Sequence, residues 1–64
     1  MNLPKRLKEL RTDRKLSQEG LARRVEGLTK QMVSKYENGR SQPPICMLIK
    51  LSTFFRVPID HLVK

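Results

Sequence analysis

The sequence predicts an all-α protein, a compact bundle of five helices. Three observations carry that expectation. Apolar residues recur at helical spacing in five runs along 64 residues. No alternating apolar-polar run and no hairpin turn dipeptide competes with them. Two of the runs open on good N-cap residues, Ser17 and Thr29.

The first helix is expected from about Pro4 to Arg14. Leu3, Leu7 and Leu10 mark its inward face at i, i+4 and i+7. Pro4 suits the first turn, where an N–H would have no helical partner. The second is expected from Gln18 to about Val25, with Leu21, Ala22 and Val25 inward. Glu19 and Arg23 stand four residues apart on its outer face, a favourable pair. The third spans Lys30 to about Asn38, with Val33 and Tyr36 inward and Gly39 as the stop signal. Ser41-Gln42-Pro43-Pro44 reads as a stiff connector, because proline keeps its preceding residue extended. The fourth helix is expected from Ile45 to Phe55, with Ile45, Leu48, Leu51, Ser52 and Phe55 inward. A short fifth follows Pro58, from Ile59 to Val63.

A chain this short makes one domain, taken as residues 1–64. It buries only about 60% of its unfolded surface, too little for a deep cleft with converging catalytic groups. An enzyme is therefore not expected. The formal net charge is +8, from 14 Lys+Arg against 6 Asp+Glu, and that excess points to a polyanionic partner. It is uneven: residues 1–15 carry +4, residues 16–28 balance, and residues 29–42 and 43–64 carry +2 each. The basic first helix is either a solubility face or a flank along a nucleic-acid backbone.

Cys46 is the one cysteine, which excludes an internal disulfide and fits a reducing compartment. No apolar run is long enough to span a membrane, and no secretion signal opens the chain. A soluble cytoplasmic protein is the expectation. The positive charges alternate with carboxylates, which argues against a membrane-active cationic helix. His61 has no second histidine, cysteine or carboxylate at ligand spacing, so it reads as surface and no metal is expected. No cofactor and no small-molecule substrate are evident.

Chemistry concentrates between Leu16 and Gly39. Two short helices joined by a glycine-bearing turn let one helix enter the DNA major groove while the other braces it. The polar face of the later helix is Lys30, Gln31, Ser34, Lys35 and Asn38. A solvated face is the ordinary meaning of such a stripe. Its residue types also suit base edges: lysine donates to guanine O6 and N7, and glutamine pairs with adenine N6 and N7. Met32 beside them either touches a thymine methyl or covers the core edge.

The pieces LSQEGLA, SKYENGR, LIKLSTFF and VPIDHLV together resemble the lambda-repressor/Cro type of helix-turn-helix domain, the XRE family. The resemblance runs from about Leu7 to Val63. It implies a five-helix bundle and sequence-specific operator binding by a transcription regulator, of prokaryotic or phage origin. It implies base contacts for Lys30, Gln31 and Lys35, with Ser34 added from the polar face. It implies backbone contacts for Gln18, Thr29, Asn38 and Arg40, roles also compatible with simple capping. Arg11 and Glu37 match a pair that forms an ion bridge in some family members.

Four departures stand out. Four residues separate Ala22 from Gly27 where the family has three, so Glu26 lengthens the turn. Gly20 replaces the glutamate that would complete a capping box. Arg56 stands where glycine commonly ends the fourth helix, and Pro44 where a serine commonly caps it.

The leading expectation is a repressor that binds double-stranded DNA as a homodimer on an inverted repeat. The alternative is a protein-interaction or antitoxin-like module in which DNA contact is secondary, suggested by apolar residues from Ile45 to Met47 and by Phe54. Cys46, Met47, Phe54 and Val63 are either a self-association patch or filler at the core edge.

Overall fold

The computed structural model describes residues 2–64. Its elements are α1 (Leu3–Asp13), α2 (Gln18–Arg24), α3 (Lys30–Glu37), α4 (Ile45–Phe55) and α5 (Ile59–Val63), and no strand occurs among the described residues. The bounds differ from the sequence expectation by single residues at helix ends, where chain caps decide them. α1 starts at Leu3, with Pro4 in its first turn. Arg14, Val25 and Asn38 lie just outside their helices as C-terminal caps.

Both expected N-caps act through their side chains. Ser17 Oγ accepts the Gly20 N–H at 2.9 Å, and Thr29 Oγ1 accepts the Met32 N–H at 3.1 Å. Ser17 caps α2 without the reciprocal glutamate that a capping box would add. Pro44 opens α4 with no side-chain cap.

Three helices end in the same way. Lys15, Gly39 and Arg56 all take left-handed backbone, at φ 58°, 73° and 58°. In each case the next N–H reaches back five residues: Leu16 to the Arg11 carbonyl, Arg40 to Lys35, and Val57 to Ser52. The left-handed residue itself donates three residues back, Lys15 to Thr12, Gly39 to Tyr36 and Arg56 to Thr53, and the two bonds satisfy carbonyls that a bare helix end would leave unpaired. Only one of the three uses glycine.

α1 packs against α3 and α5, α2 against α3, and α4 against α5. The core they enclose is Leu3, Leu7, Leu21, Val25, Leu28, Val33, Tyr36, Met47, Leu51, Phe55 and Leu62. Asn2 closes the bundle: its N–H donates to the Val63 carbonyl at 3.0 Å, and its side-chain amide to the Lys64 carbonyl at 2.8 Å.

The inward face of α4 differs from the expected one. Ile45 is 65% exposed and Met47 only 5%. The buried stripe is Met47, Leu51 and Phe55, at i, i+4 and i+8, while Leu48 and Ser52 lie at its edge. Residues Ile45 to Ile49 are all apolar, so their pattern sets no phase, and tertiary packing sets it instead. Of the two readings for Met47, self-association patch or core-edge filler, burial excludes the first, and Met47 joins the core. Phe54 and Val63 pack partly buried against that core, and Cys46 alone of the four is exposed. Leu10 and Ala22 are half-buried.

Candidate nucleic-acid interface

The sequence places two helix ends side by side. Gln18 opens α2, and α3 packs across α2 through Val33 and Leu21 in the core. The outward face of α3 then meets Gln18 along a shallow groove. Gln18, Lys30, Gln31, Ser34, Lys35, Asn38 and Arg40 line it. Seven of the eight residues expected to touch DNA are thus brought together. The eighth, Thr29, stands at the edge with its hydroxyl engaged as the α3 cap.

Three cations and no carboxylate line the groove. Lys30, Gln31, Lys35, Asn38 and Arg40 are exposed, whereas Gln18 and Ser34 are half-buried. The Asn38 side-chain amide lies 3.4 Å from Ser34 Oγ. Gly39 ends α3, and the Arg40 N–H to Lys35 carbonyl bond of 2.9 Å fixes where Arg40 leaves the helix.

Behind the groove lies a part-buried ion pair. Arg11 donates from Nε to Glu37 Oε2 at 2.7 Å and from NH2 to Glu37 Oε1 at 3.1 Å. Its third bond, NH1 to the Leu16 carbonyl at 2.7 Å, holds the loop that leads into α2. The Gln18 amide donates to Glu37 Oε1 at 3.3 Å. The side chains of Arg11 and Glu37 are only 11% and 5% exposed. Glu37 thus spends its charge on Arg11 and lends the groove little negative potential. Sequence reasoning gave Gln18 a backbone contact or a capping role. The structure bonds it to Glu37, 19 residues away, a link that no local pattern signals.

The lengthened turn between α2 and α3 closes compactly. The Leu28 N–H donates to the Val25 carbonyl at 3.2 Å, and Gly27 takes φ +81°. Lys50 of α4 donates from Nζ to the Glu26 carbonyl at 3.1 Å. The extra residue is therefore anchored on α4, away from the groove, another contact that sequence reasoning missed. His61 is exposed, and no group of three metal-ligating side chains occurs among the described residues.

Such a surface suits a long polyanion with readable edges. Amides and amines on an exposed helix face meet hydrogen-bond acceptors, and flanking cations meet phosphates.

Comparison with known proteins agrees. The profile of the helix-turn-helix family matches residues 7–62. The chain is 41% identical over 59 residues to the SPbeta prophage-derived uncharacterized HTH-type transcriptional regulator YonR of Bacillus subtilis (strain 168), covering 92% of this chain and 54% of that one. It is 36% identical over 64 residues to the HTH-type transcriptional activator BcrR of Enterococcus faecalis, covering 100% of this chain and 31% of that one. A third relative is an uncharacterized transcriptional regulator in the ATPase CF(0) region of Rhodospirillum rubrum, 39% identical over 56 residues, or 88% of this chain and 51% of that one. The chain thus spans about half or less of the curated relatives it matches. No solved structure matches it.

Proposed function

The chain belongs to the helix-turn-helix family of the lambda-repressor/Cro type, and from that premise we propose that it binds double-stranded DNA by sequence and regulates transcription. The carrying observation is the groove where Gln18 of α2 meets Lys30, Gln31, Ser34 and Lys35 of α3. In this reading α3 enters the major groove. Lys30, Gln31, Ser34 and Lys35 read base edges. Gln18, Thr29, Asn38 and Arg40 hold the sugar-phosphate backbone and set the register.

The domain acts in the cytoplasm as a repressor. Occupancy of an operator is enough to exclude polymerase, and no chemistry is required. Two copies related by a two-fold axis bind an inverted repeat, with half-site centres about 34 Å apart or a multiple of that. A single exposed helix of eight residues reads few bases, and a second copy doubles the length read.

The test is in vitro selection from random duplex DNA at about 150 mM salt, where sequence-blind binding is already weakened. Enrichment of one inverted repeat is the expected outcome. Salt-sensitive binding with no enrichment overturns sequence reading. Enrichment of an isolated half-site retains it and overturns the dimer.

A further inference from the structure

A second groove runs along α4, away from the proposed DNA face. Val25, Ile49, Thr53 and Phe54 line it, with Arg24, Glu26 and Lys50 at the rim. It shares no residue with the groove of Lys30 and Lys35. Ile45 and Ile49, one turn apart, are 65% and 50% exposed, the large hydrophobic residues that the bundle leaves uncovered.

The rim carries a net positive charge, from Arg24 and Lys50 against Glu26. Arg24 is exposed at the end of α2 and makes no ion pair among the described residues. Lys50 is held over the turn by the Glu26 carbonyl. The Arg14 guanidinium stacks 5.1 Å from the Phe54 ring centroid and donates to the Phe55 carbonyl at 3.1 Å. Stacking and that one bond leave other guanidinium N–H groups for an acceptor. Two cations and one carboxylate, Glu26, thus line the apolar strip, and a third cation, Arg14, stacks on its Phe54.

We propose that this groove docks an acidic amphipathic segment of a partner protein. Apolar side chains of the segment seat on Ile49 and Phe54, and its carboxylates meet Arg24, Lys50 and Arg14. Charge complementarity selects this occupant. A second copy of the chain would bring a further net charge of +8 to a basic rim, with no phosphates at this face to offset it. Nucleic acid would leave the apolar strip uncovered. The proposal does not depend on sequence reading by α3, because the two grooves share no lining residue.

The probe is a synthetic amphipathic helical peptide of leucine and glutamate, titrated into the isotope-labelled full chain. The expected amide shifts fall on Val25, Glu26, Ile49, Lys50 and Phe54. Ile49→Ser and Arg24→Glu, both at exposed positions, each weaken binding about tenfold, with an unchanged thermal melt showing that the fold is kept. A peptide with lysine replacing glutamate does not bind. Shifts confined to Lys30–Asn38, equal binding of the lysine peptide, or no effect of Ile49→Ser overturn the proposal. So do concentration-dependent shifts at Ile49 without peptide, which would make the occupant a second copy. No DNA is present, so the outcome is separate from that of the selection experiment.

Discussion

Arg11 and Glu37 face each other across 26 residues of chain, joined by two hydrogen bonds of 2.7 and 3.1 Å. Through this pair α1 grips the C-terminal end of α3, and the same carboxylate holds Gln18 at the start of α2. Removing one partner leaves the other charge part-buried without compensation, a loss of about 3 kcal/mol, the lower end for such a pair. Glu37→Ala is therefore expected to lower stability by that amount in a denaturant titration. Arg11→Ala should cost a similar amount, and the double variant less than the sum of the two. An unfolding midpoint unchanged within error for Glu37→Ala would refute the structural role of the pair.

A second expectation concerns backbone. Arg56 ends α4 at φ 58°, where a side chain costs about 1–2 kcal/mol relative to right-handed geometry. Glycine removes that strain but gains entropy in the unfolded chain, about 0.5–1 kcal/mol. Arg56→Gly is expected to raise stability by up to about 1 kcal/mol on balance. Gly39→Ala should act in the opposite sense. Its added Cβ meets only ordinary contact, Pro4 Cγ at 3.8 Å, so the loss comes from φ +73° alone. Urea midpoints moving in the same direction for both would contradict the argument.

Tyr36 provides a pH test. Burial, and secondarily the charge interaction with Cys46, push its phenol above the ordinary value of 10.0. The folded state therefore favours the neutral phenol. Its stabilising effect is complete below the unfolded pKa and is lost as pH rises through the folded one. Stability should fall above about pH 10, and Tyr36→Phe should remove that part of the fall. The chain has one tyrosine and no tryptophan, so phenolate absorbance reports Tyr36 directly. Titration at or below the unfolded-chain value would reverse the sign.

The helices were legible because their signals are local. Ser17 and Thr29 announce their helices, and Gly39 announces a stop, within a few residues of where each acts. The phase of α4 was not legible, since five successive apolar residues look alike until tertiary packing buries Met47 and leaves Ile45 exposed. The polar stripe of α3 could be read from spacing, and α2 completes it with Gln18. The contacts that fix the stripe in place, Gln18 to Glu37 and Lys50 to the Glu26 carbonyl, span 19 and 24 residues and belong to the tertiary fold. The lengthened turn was visible as one added residue. That α4 would hold it was not.

The reading of α3 is tested most sharply at Lys35. It is exposed in the groove, one turn on from Gln31, and makes no ion pair among the described residues. Its removal should leave the fold intact, so any change in binding reports on DNA contact. A base-reading lysine contributes about 1–3 kcal/mol at its preferred base pair and nothing comparable at the others. Lys35→Ala is therefore expected to weaken the selected site by that amount and to relax preference at one position per half-site. A lysine that meets phosphate behaves otherwise, with losses nearly uniform over sequences and a salt slope shallower by about one. Arg40, leaving α3 at its end, is expected to follow this second pattern. Affinities of both variants across single-base variants of the site, at two salt concentrations, separate the two behaviours. Uniform loss for Lys35→Ala would move it from reader to phosphate clamp and leave Lys30, Gln31 and Ser34 to account for the selected bases.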